Sequence, residues 1–190
     1  MPFSTDTTWP AGLRTIFDIC RRQFQPLGDQ FCAPYIKLLT YCFGDSFDFF
    51  VAPPPGKHTY CETNTIFLVV FNAHGHPVLM AEINDDTWGN TAALRLKAED
   101  QMHQEYNTML ADCPLPPLWG LSLLGTSLRV YTGDVATGKM EPAFTDCPSS
   151  TPPHDLLEGA WNIDILSQEG FDKMKEIVED ITSNAALERA

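Results

Sequence analysis

Residues 67–86, FLVVFNAHGHPVLMAEINDD, constrain the fold more than any other stretch of the chain. Phe67, Leu68, Val69, Val70 and Phe71 form an unbroken apolar run, the pattern of a strand covered on both faces. His74-Gly75-His76-Pro77 follows as a turn: glycine supplies a positive φ, and proline, lacking an N–H, interrupts the ladder. Val78, Leu79, Met80 and Ala81 then make a second apolar strand that carries Glu82 and, two residues on, Asn84. Side chains alternate along a strand, so Glu82 and Asn84 face the same way. A carboxylate at the end of such a strand is either a site residue or, with Asp85 and Asp86, an acid set ahead of the next helix. The helix macrodipole favours negative charge there.

A chain of 190 residues, 44% apolar and 19% charged, suits a single domain whose core needs no staples. No apolar run approaches the roughly 20 residues of a membrane span. The N-terminal MPFSTDTTWP has neither the basic nor the apolar segment of a secretory signal, so an intracellular location, cytoplasmic or nuclear, is expected. Cys20, Cys32, Cys42, Cys61, Cys113 and Cys147 form no CxxC pair, and free, mostly buried thiols are expected. Neither Cys nor His falls at zinc-ligand spacing. The 25 acids outweigh 12 bases, for a net charge of −13. Gripping a polyphosphate needs a stripe of bases, whereas Arg14, Arg21, Arg22, Lys37, Lys57, Arg95, Lys97 and Arg129 are scattered. The field repels nucleic acid. A protein partner or a homodimer, and no membrane, is expected in its place.

Along the chain, residues 12–43 read as two helices broken near Gln25-Pro26-Leu27-Gly28, with Asp29 as cap of the second and Pro34 in its early part. Residues 47–52 read as a strand, Pro53-Pro54-Pro55-Gly56 as a surface connection, and 59–72 as a long strand. The clearest helix is 91–111, capped by Thr91. Its apolar stripe is Leu94, Ala98, Met102, Tyr106, Met109 and Leu110, and Arg95, Lys97, Glu99, Asp100, His103 and Gln104 form its polar side. Strands follow at 118–124, 127–132 and 139–144, with hairpin turns at Gly125-Thr126 and Thr137-Gly138. Residues 146–154 read as a loop and 161–166 as a short strand. Ser167 caps a last helix, and SNAALERA trails off as a frayed tail. Hairpins on either side of a central helix imply an α/β (α+β) domain with a mixed central β-sheet flanked by helices.

The order of helix, three strands, helix and strand, with Glu82-Ile83-Asn84 closing the third strand, resembles the restriction-endonuclease-like core of the PD-(D/E)XK superfamily over residues 30–125. Residues 126–183 would then add strands and a closing helix. The chain is also similar to uncharacterised fungal proteins with this core, through LWGLSLLGTSLRVYTGDVATG and EGAWNIDILSQEGF. In that superfamily an acid on the second strand and an E-x-K on the third hold a divalent metal through oxygen ligands. The metal lowers the pKa of the attacking water. Here the E-x-K place is Glu82-Ile83-Asn84, and the other acid would be Glu62, displaced from the family position at Asn64 or Thr65. Asparagine brings hydrogen bonds but no positive charge. The Gln-x-x-x-Tyr signature of one nuclease branch is not met by Gln101 and Tyr106. Lys97 and Gln101, one turn apart on a helix face, would face the same cleft, and one would stand in for the missing lysine.

The resemblance implies a nuclease-like fold with a degenerate motif, a pseudoenzyme that works without a cofactor as a binding or scaffold protein. The alternative is an atypical Mg- or Mn-dependent nuclease hydrolysing phosphodiester bonds. Glu62 and Glu82 would then be its metal ligands, and Asn84, Lys97 and Gln101 would complete its site. A third reading is a protein-interaction domain whose face has no relation to that site. No GxSxG, P-loop or GxGxxG pattern is present. Thr126 and Ser127 read as turn chemistry, and Cys61 near His58 does not read as a nucleophile pair. His74 and His76 read first as exposed turn residues and second as a weak metal site.

Overall fold

A computed structural model describes residues 2–22, 29–44, 47–54, 65–147 and 151–187. Among them, seven strands form one mixed sheet in the order β1-β2-β3-β4-β5-β6, with β7 also on β5. Strands β1 (Phe49–Ala52), β2 (Ile66–Asn72) and β3 (Pro77–Asn84) make an antiparallel meander. Helix α4 (Ala92–Leu110) carries the chain to β4 (Leu118–Leu124), which runs parallel to β3. β5 (Ser127–Asp134), β6 (Lys139–Glu141) and β7 (Ile163–Asp164) pair antiparallel beyond it. Helices α1 (Pro2–Thr5), α2 (Ala11–Arg22), α3 (Cys32–Phe43) and α5 (Gln168–Leu187) are the other α-helices among the described residues.

The unbroken apolar runs have the predicted consequence. Every residue of β2, β3 and β4 is buried, because both faces of the sheet are covered. Neighbouring residues of β4 identify the covers. Trp119 donates its indole N–H to Asp180 on α5 at 2.8 Å. Gly120, on the opposite face, lies so close to Met102 and Tyr106 of α4 that a Cβ would collide with both. Helix α3 packs against β1, β2 and α5. The N-terminal segment joins this side through Phe3 and Trp9, which meet Tyr41 and Phe171 ring against ring. No helix among the described residues is long and apolar enough to cross a membrane. Cys20, Cys32, Cys42, Cys113 and Cys147 are free thiols.

Several boundaries differ from expectation, each for a local reason. The predicted helix break at 25–28 and the first part of the predicted 59–72 strand lie outside the described residues; β2 is seen from Ile66. Helix α3 begins behind Phe31, which offers no side-chain cap, instead of behind Asp29, which opens a short 3₁₀ turn. Pro34 then falls in the first helical turn, where an N–H would have no intrahelical acceptor. Pro77 opens β3 where the turn was expected to end. The first position of a strand tolerates proline, and the register shifts beside its partner Phe71. β5 runs on to Asp134, whereas β6 stops at Glu141 because Pro142 cannot donate to a ladder. Ser167 caps α5 as expected, accepting the Gly170 N–H at 3.1 Å. Yet α5 continues to Leu187, so residues 183–187 of the predicted frayed tail are helical, with Ala185 buried, and the remainder of that tail lies outside the described residues.

The largest correction concerns α4. Thr91 caps it, accepting the Leu94 N–H, and Ala98, Met102, Tyr106 and Leu110 are buried as the stripe predicted. Arg95 and Glu99, placed on the polar side, are buried too, at 6% and 1% exposure. Helical spacing puts 95, 99, 102 and 106 on one face, and each charge there has found partners. Arg95 donates to three backbone oxygens, those of Gly89 (2.8 Å), His154 (2.8 Å) and Leu156 (2.9 Å). It thereby ties the 154–156 segment to the start of α4. Arg95→Ala is expected to lower stability by about 2–3 kcal/mol, since three part-buried hydrogen bonds from a charged donor are lost. Limited proteolysis should then cut faster within residues 151–160.

Candidate functional site

The candidate site lies inside the sheet. Glu82 on β3 stands directly opposite Ser122 on the parallel strand β4. Both side chains are fully buried. Asn84 Nδ2 donates to Glu82 Oε1 at 3.0 Å, and Ser122 Oγ bonds Glu82 Oε2 at 3.1 Å. Trp161, from the segment ahead of β7, donates its indole N–H to Ser122 Oγ at 3.2 Å. On the other side Thr65 Oγ1 donates to Asn84 Oδ1 at 2.7 Å and lies 3.0 Å from Gln101 Oε1 on α4. One polar chain thus connects Trp161, β4, β3, the residue ahead of β2, and α4. Its members are satisfied by one another inside an apolar interior, the condition under which buried polar groups are tolerated.

A second buried cluster lies on the same face. Glu99 of α4 sits 2.9 Å from Arg129 Nη1 on β5 and accepts from the Tyr131 hydroxyl at 2.5 Å. The Arg129 guanidinium also lies over the rings of Tyr131 and Trp161, at 5.1 and 5.4 Å.

Burial pushes the Glu82 carboxyl up to about 8. The bonds from Asn84 and Ser122 pull it back only in part, and the acids Glu99 and Glu105 push it further up. Glu82 is therefore a protonated, neutral acid at pH 7. No family model, curated protein or solved structure matches this chain.

The predicted site residues separate into three groups. Glu82, Asn84 and Gln101 come together through Thr65. Lys97, one turn before Gln101, extends over the Trp88 ring at 5.2 Å. Glu62, the second expected metal ligand, lies outside the described residues. Asp85 shows the alternative reading of the acids: it caps the short 3₁₀ segment after β3, accepting from Thr87 N at 2.9 Å and from Gln30 Nε2 at 2.8 Å.

A hard divalent cation needs ionised oxygen ligands with free lone pairs. Both Glu82 oxygens are hydrogen-bonded, and Glu99 Oε2 is shared by Arg129 and Tyr131, while Glu99 Oε1 has no hydrogen-bond partner among the described residues. Among the described residues no group of three His, Cys, Asp or Glu is placed to hold a metal ion. Of the two ligands expected for Mg²⁺ or Mn²⁺, Glu82 is hydrogen-bonded on both oxygens and Glu62 lies outside the described residues.

Sequence reasoning missed Thr65, Ser122, Glu99, Arg129, Tyr131 and Trp161. For Ser122 a signal existed: it is the lone polar side chain in LWGLSLL, as Glu82 is the lone acid in its strand. A polar residue in each of two doubly covered strands needs a partner.

Proposed function

We propose that this chain is a restriction-endonuclease-like PD-(D/E)XK protein with a degenerate motif, acting as a non-catalytic binding or scaffold protein for a protein partner. The observation that carries the non-catalytic reading is Glu82 itself: fully buried, bonded on both oxygens and held near 8. An acid in that state neither ligates a hard cation nor activates water at neutral pH. Asn84, in the place of the family's lysine, donates to Glu82 and brings no charge. The relationship is supported by the order α3, β1, β2, β3, α4, β4, with Glu82 and Asn84 at the end of the third strand. The net charge of −13 favours a protein over a nucleic acid as partner.

The test is incubation of the purified protein and Glu82→Ala with single- and double-stranded DNA and RNA, with Mg²⁺ or Mn²⁺. No cleavage above the level of Glu82→Ala is expected. Metal-dependent cleavage lost in Glu82→Ala would establish instead the atypical nuclease, with Glu62, Glu82 and Lys97 in its site.

A further inference from the structure

We infer that the β2–β3 turn is a surface chelate for a borderline transition cation such as Zn²⁺ or Cu²⁺, with His74 and His76 as its protein ligands. The two imidazoles are exposed, and their ring centres are 6.5 Å apart. Imidazoles sharing one ion through metal–nitrogen bonds of about 2.0–2.1 Å put their ring centres about 5–6 Å apart. Small rotations of two exposed rings within their rotamer wells close that difference.

The backbone holding the rings is fixed in advance. Asn72, buried at the end of β2, accepts the N–H groups of both His74 and His76 on its side-chain oxygen, each at 3.0 Å. Its own backbone N–H donates to the His76 carbonyl at 2.9 Å, and its carbonyl accepts the Gly75 N–H at 2.9 Å. Gly75 supplies the left-handed residue, φ +79°, that lets the turn close this tightly. One buried side chain thus organises a short loop whose two exposed tips are the nitrogen ligands such ions prefer.

The surroundings favour a cation. His76 and Asp112 line one hollow of about 480 Å³ between this turn and the end of α4, and the whole chain carries −13. With two protein ligands, the remaining positions belong to water. The chelate lies at the opposite end of β3 from Asn84, so it stands independently of the reading of Glu82.

Calorimetric titration with ZnCl₂, and separately CuCl₂, in a non-coordinating buffer at pH 7 tests this. The protein is expected to bind one equivalent saturably. His74→Ala and His76→Ala should each weaken binding at least tenfold, and His103→Ala, a histidine on α4, should leave it unchanged. Circular dichroism checks that these substitutions leave the fold intact. The inference is overturned if the unmodified protein shows no saturable binding, or if either turn variant binds as tightly as it does.

Discussion

Arg129→Met lowers stability by about 3–5 kcal/mol at pH 7, measured by urea unfolding. Glu99 is 1% exposed, and Arg129 is the cation within ion-pair distance of it among the described residues. Glu99 Oε1 has no hydrogen-bond partner there. Once the guanidinium is removed, a carboxylate is left in low dielectric with the Tyr131 hydroxyl as its donor. Burial raises the Tyr131 phenol, with the Glu99 charge adding to the rise, so that hydroxyl stays a neutral donor. An uncompensated buried charge is far costlier than a missing pair. The double variant Glu99→Gln with Arg129→Met is therefore expected to recover most of the loss. A single-variant cost below about 1 kcal/mol would mean that the pair is exchanged with solvent.

Glu82→Gln has the opposite sign, and its effect depends on pH. The folded protein holds the Glu82 proton up to about 8, whereas the free side chain releases it near 4.5. Between these values unfolding releases a proton. The stability contributed by Glu82 is thus complete below about pH 4.5 and is lost as pH rises to about 8, at up to about 1.4 kcal/mol per pH unit. Glutamine is neutral throughout and keeps the shape, so the variant escapes this loss. It should match the parent near pH 4–5 and exceed it by about 2–4 kcal/mol at pH 8. Parallel pH profiles of the two proteins would show that Glu82 titrates alike in the folded and unfolded chains.

These two acids mark where the sequence was legible and where it was not. Strands β2, β3 and β4 were readable because burial on both faces leaves uninterrupted apolar runs. Helix α4 was readable from its caps and from Ala98, Met102, Tyr106 and Leu110. Arg95 and Glu99 share that buried face, but a charge in a periodic pattern reads as solvent-facing, and nothing local says otherwise. Their partners, Leu156 and Arg129, lie 61 and 30 residues away in sequence. Only the fold brings them together. Glu82 and Asn84 were readable as side chains on one face, because strand parity is local. That the face is sealed by Ser122 and Trp161, and so holds a proton, depends on the parallel pairing of β3 with β4. A helix of 19 residues lies between those strands.

Titration of Glu82 by carboxyl-carbon NMR, with and without Mg²⁺, tests its protonation most directly. The expected result is a midpoint near 8 that Mg²⁺ does not move. A midpoint in the ordinary carboxylate range, displaced further downward by Mg²⁺, would mean that Glu82 is an ionised metal ligand, and would contradict the non-catalytic reading.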